Sequence, residues 1–154
     1  MGQDRREEIL AQLFAVLGDI DGAETVVRNR AEFTTDLRPV ICQLDGNETV
    51  TTRQNRSGRD AAQVTTSMVR LEPQIFVLLK SQKPKNLSVG QDLNAFRSAI
   101  LKAVGTDATL LSLVTANGSI EYDGCQTDLQ TGSTVEGEMQ LNIRFLYPLN
   151  IKEL

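Results

Sequence analysis

The sequence predicts an α+β domain, a single mostly antiparallel or mixed sheet with two main helices packed on it. Two observations carry this. Apolar residues recur at helical spacing in two separated segments, and strict alternation marks the run Met139, Leu141, Ile143, Phe145, Tyr147. A chain of 154 residues buries roughly 68–70% of its unfolded surface, so it folds as one unit without a disulfide or structural metal. No repeat, low-complexity tract or linker divides it, and residues 1–154 read as one domain.

Arg5 to Leu17 is the first helix. Ile9, Leu13 and Val16 form one stripe, and Leu10, Phe14 and Leu17 form the next. Glu7 and Glu8 suit the positive end of the helix dipole, and Gly18 marks its stop. Thr25 to Asn29 is a short β-rich run. Pro39 to Leu44 is a strand, closed by an expected turn at Asp45-Gly46-Asn47. Thr49 to Gln63 is poor in apolar residues and is expected to be a mobile loop with strand character at its start. Val64 to Leu71 resumes a strand, Pro73 is expected to interrupt it, and Ile75 to Leu79 follows as a strand covered on both faces.

Ser81 to Asn86 is a second exposed loop. Ser88 and Gln91 stand at capping-box spacing, opening a helix to about Val104 with Leu93, Phe96, Ile100 and Val104 on one face. Gly105 ends it, and Asp107 caps a short helix through Leu113. Asn117-Gly118 turns into the strand Ile120-Glu121-Tyr122, and Gly124 to Thr134 reads as a long polar connection. The closing strand buries its alternating apolar residues and leaves Gln140, Asn142 and Arg144 on the other face, with Pro148 at its end. The expected core is Leu13, Phe14, Phe76, Leu78, Leu93, Phe96, Ile100, Leu141, Ile143 and Phe145.

Charge is unevenly spread. The net charge is −4, and residues 117–154 hold six acids against two bases. Glu121, Asp123, Asp128, Glu136 and Glu138 lie in a stretch without a single base, which disfavours tight binding of nucleic acid there. Arg53, Arg56 and Arg59, against the single Asp60, make the Thr49–Gln63 loop basic. In a head-to-tail assembly, such a basic loop meets an acidic face on the next subunit. These eight residues are the candidate subunit or partner interface.

Other chemistry is thinly supplied. There is no histidine, so Ser/His/Asp and Cys/His catalysis within one chain is excluded. No P-loop, GxGxxG or HExxH motif occurs, and the spacing of Glu121, Asp123 and Asp128 is not that of an EF-hand. Neither a cofactor nor a metal is expected. Cys42 reads as a small core residue and Cys125 as a more exposed thiol, both free in a reducing compartment. The first residues lack the apolar stretch of a secretory signal, and no apolar run reaches the about 18 residues of a transmembrane helix. The four Asn-x-Ser/Thr triplets, beginning at Asn47, Asn55, Asn86 and Asn117, are therefore read as chance.

Several strings together resemble a known family. They are Arg5-Arg6-Glu7-Glu8-Ile9-Leu10-Ala11-Gln12-Leu13, Val26-Val27-Arg28-Asn29-Arg30, Arg38-Pro39-Val40-Ile41-Cys42-Gln43-Leu44-Asp45-Gly46, Met68-Val69-Arg70-Leu71-Glu72-Pro73-Gln74-Ile75, Gly124-Cys125-Gln126-Thr127-Asp128-Leu129 and the strand Gly137 to Tyr147. Their order resembles the tail terminator proteins of long-tailed bacteriophages and prophages over nearly the whole chain. The resemblance implies a non-enzymatic virion protein forming a homohexameric ring at the head-proximal end of the tail, assembled in the host cytoplasm. Such a ring caps the tail tube, stops its polymerisation and offers a head-joining surface. The implied partners are further copies of the chain, the tail-tube protein, a head-completion or connector protein and a sheath protein. DNA is expected to pass through without sequence-specific binding, and no membrane is involved. A head–tail joining protein or a tail-tube protein is the alternative, and a small metal-dependent enzyme a remote one.

Overall fold

The computed structural model describes residues 4–30, 39–53, 66–81, 86–130 and 135–154. It is an α+β fold, with three helices and one mixed five-stranded sheet among the described residues. In chain order these are α1 (Arg5–Gly18), β1 (Thr25–Arg28), β2 (Val40–Arg53), β3 (Ser67–Ser81), α2 (Asn86–Thr106), α3 (Ala108–Val114), β4 (Ser119–Gln130) and β5 (Val135–Leu149). A 3-10 turn at Ile151–Glu153 follows. The strand order is β1-β2-β3-β5-β4; only the β1–β2 pair is parallel.

Alternation assigns the two faces of the sheet. Val69, Leu71, Ile75, Val77 and Leu79 of β3 and Met139, Leu141, Ile143, Phe145 and Tyr147 of β5 point to one side, and all are buried. They form one cluster with Ile9, Leu10, Leu13 and Leu17 of α1, Leu93, Ile100 and Val104 of α2, and Leu110 and Val114 of α3. All three helices therefore cover the same face. The two longer helices each present one apolar stripe, and a single sheet face suffices to bury both. The Asp4 side chain accepts from Arg6 N at the start of α1, and Asp107 accepts from Leu110 N at the start of α3. In both places a carboxylate satisfies an amide that the helix leaves without a partner.

Most of the expected core is buried. Phe14 and Phe96 are only half-buried at the margin of the helical layer. Phe76 and Leu78 lie on the face opposite the helices, because their pairs on β5 are Gln140 and Glu138. The helix expected from Ser88 begins at Asn86 and runs past Gly105 to Thr106. Gly105 fits there because no chain crosses above it.

Three expected interruptions are strands instead. β2 continues through Asp45-Gly46-Asn47, taking up one extra residue between Leu44 and Asn47 as a bulge. β3 runs through Pro73, which lies beside that bulge, where the ladders to both neighbours lapse. Proline has no N–H to donate, so the bulge meets it where no donor is needed. Gly46, at φ +74°, makes the close passage possible: a Cβ there would lie 1.9 Å from the Glu72 carbonyl oxygen. The third is Gly124 to Gln130, expected as connection but forming the second half of β4 after a bulge between Tyr122 and Cys125. The start of the expected 49–63 loop, through Arg53, belongs to β2; residues 54–63 lie outside the described residues.

Candidate assembly surface

The face away from the helices is apolar around Val40, Cys42, Phe76 and Leu78 of β2 and β3, and polar where β3, β5 and β4 carry Arg70, Glu72, Arg144, Glu121 and Asp123. Arg144 of β5 is its hub. Its Nη2 lies 2.9 Å from Asp123, its Nη1 3.6 Å from Glu121, and its Nε 3.5 Å from Glu72. Glu72 also lies 2.8 Å from Arg70 Nε, in ion-pair range but without hydrogen-bond alignment. Register explains the gathering. Arg144 stands opposite Glu121 in the β4–β5 ladder, and Asp123, two residues further along β4, lies on the same face by alternation. Three strands are thus tied by one guanidinium, whose planar fork suits several carboxylates at once.

A well of about 380 Å³ lies between the bulges of β2 and β4, lined by Gly46, Asn47, Glu72, Gln74, Asp123 and Asn142. Among the described residues no three Cys, Asp or Glu side chains gather in an arrangement able to hold a metal ion.

The expected interface residues divide into groups. Glu121 and Asp123 are compensated within the chain by Arg144. Asp128 and Glu138 stand opposite each other in the β4–β5 ladder, both exposed. Glu136 pairs in register with Gln130 on one side and Lys80 on the other. Arg53 is the last residue of β2, and Arg56 and Arg59 lie outside the described residues. The structure therefore brings the five acids together on one β-ribbon, and their meeting with the arginines is not within its described part.

Sequence reading missed the cations inside this surface. Arg144 was legible only as a polar-face residue and Arg70 only as a strand residue, and Glu72 fell between the two expected strands. The signal was present in principle, since opposite charges on adjacent strands attract, but it needs the strand order. On the helix side of the same edge, Arg97 of α2 lies 5.1 Å from the centre of the Tyr122 ring and donates from Nε to its hydroxyl at 3.1 Å. Cys125 is exposed on β4 and Cys42 is buried, where burial pushes its thiol above the usual value. Comparison with protein-family models and with curated proteins gives no match.

Proposed function

We propose that this protein is a structural, non-enzymatic ring component of a bacteriophage tail, the terminator that caps the tail tube and offers the head-joining surface. The observation that carries the reading is the acidic β4–β5 ribbon, with β4 the outermost strand of the sheet among the described residues, in a chain whose net charge of −4 arises wholly within residues 117–154. A one-sided charge next to an outer strand suits a subunit that meets unlike neighbours. The resemblance in the order of the sequence strings supports the same role, with copies of the chain, a tube protein and a head-completion protein as partners.

Labelled protein located on virions by electron microscopy tests this. One ring at the head-proximal end of each tail is the expected result. Label repeated along the tube, or inside the capsid, overturns it in favour of a tube or head–tail joining role.

A further inference from the structure

β4 is the outermost strand on one side of the sheet, with β5 as its sheet neighbour. Every second residue of such a strand turns its N–H and C=O outward, where they can pair with another chain. Gly124, at φ +102° in the bulge, divides the edge into two stretches of unlike character. In the first, Glu121 and Asp123 are compensated by Arg144, and Tyr122 is engaged by Arg97.

The second stretch, Cys125–Leu129, differs. Asp128 faces Glu138 across the ladder, and neither forms an ion pair among the described residues. Like charges directly opposite one another on adjacent strands destabilise a sheet. A base placed between them removes that cost. On the other face of the same stretch, Leu129 is 38% exposed, beside Gly137 at the end of the α2-covered surface. An edge with two acids on one side and a partly exposed leucine on the other sets a two-residue pattern for whatever pairs with it.

We propose that Cys125–Leu129 accepts an added strand from a different protein. The added strand is an extended segment whose side chains alternate basic and apolar. Its base sits between Asp128 and Glu138, and its apolar residue covers Leu129. A second copy of β4 is the wrong occupant. That strand carries Glu121, Asp123 and Asp128 and no base, so antiparallel pairing about Gly124 and Cys125 sets Glu121 against Asp128. The proposal rests on reading the β4–β5 ribbon as an assembly surface, and it names the chemistry of the partner there.

The probe is a fluorescent eight-residue peptide alternating valine and arginine, with blocked ends. Its controls are the same peptide N-methylated at every residue and a valine–glutamate version. Only the first is expected to bind, because strand addition needs backbone donors as well as charge. Bound peptide should slow hydrogen exchange at alternate amides of Cys125–Leu129 and leave Ser119–Asp123 unchanged. Asp128→Asn combined with Glu138→Gln should weaken binding roughly fivefold, as loss of two exposed ion pairs does, and flatten its salt dependence. Equal binding of the N-methylated peptide, equal binding of the valine–glutamate peptide, protection confined to Ser119–Asp123, or self-association through β4 in sedimentation would each overturn the proposal. Peptide binding is read on the isolated chain, so its failure leaves virion location untouched, and mislocation on the virion leaves the peptide result untouched.

Discussion

Arg28 grips Asp45 with two hydrogen bonds, Nε to Oδ1 at 2.8 Å and Nη2 to Oδ2 at 3.0 Å. The same guanidinium donates twice to Glu7 of α1, at 3.0 and 2.9 Å. Asn29, at φ +56°, adds a bond from its amide to Asp45 Oδ2 and accepts one from Asp45 N. One side chain therefore fastens α1, the edge strand β1 and the bulge of β2. β1 has only four residues, so this clamp does much of the work of holding it.

Arg28→Ala should destabilise the fold by about 1–3 kcal/mol, the range for a part-buried, charge-assisted set of hydrogen bonds. Arg28→Lys should recover little, because an ammonium cannot donate bidentately to two carboxylates. Urea unfolding of the three proteins measures both. A lysine variant as stable as wild type would show that charge alone matters here.

The clamp sets the acid limb of stability. Hydrogen bonding from Arg28 holds Glu7 below the usual carboxylate range. Burial pulls Asp45 upward, but hydrogen bonds from Arg28, Asn29 and Gln43 outweigh it and leave its pKa lowered. A lowered folded value contributes stability above the unfolded pKa and loses it as pH falls through the folded one. Stability should hold near neutrality and drop below about pH 4, with a shallower drop in Arg28→Ala. At the other end, burial and a hydrogen bond to Glu48 push the Tyr147 phenol well above its usual value. Its contribution is whole below the unfolded tyrosine value of about 10 and wanes as pH rises beyond it. Tyr147→Phe should flatten that alkaline limb in pH-dependent unfolding.

Gly46→Ala should cost more than about 2 kcal/mol, because it adds a left-handed backbone penalty to a collision with the Glu72 carbonyl. Gly105→Ala, on a helix with open space around it, should be neutral or stabilising by up to about 1 kcal/mol. Thermal unfolding of the pair separates a glycine required by close approach from one that is not.

Glutamate at Arg53, Arg56 and Arg59 together should weaken assembly on purified tail tubes, and weaken it further as salt is lowered, since like-charge repulsion is then less screened. Normal assembly of the triple variant at low salt would separate those arginines from the assembly surface.

How much of this was legible before folding depends on the range of the cause. β5 was readable because its alternation is a local property, and every alternate residue from Met139 to Tyr147 is buried. The capped start of α3 was readable for the same reason, since Asp107 acts on its own helix. Pro73 and Gly46 misled because each is a breaker when taken alone; opposite one another, they let two strands pass. The second half of β4 hid because an edge strand with one solvated face needs few apolar residues. The five acids were visible as a run in sequence. That Arg144 neutralises two of them, and that Asp128 faces Glu138, depends on register and could not be read from spacing.

The placement of β3 bears on how the chain reaches this state. β3 lies between β2, which precedes it, and β5, which pairs Ser67 with Leu149 and Ser81 with Val135. During synthesis β3 emerges long before β5, so one side of the future central strand has no mate until both later helices and β4 have been made. Closing so distant a pairing is slow compared with forming a helix. A nascent chain halted before Val135 would display an open apolar strand, the state in which unfinished β proteins stick to one another. A chain stalled upstream of β5 would therefore be the form of this protein most prone to aggregate.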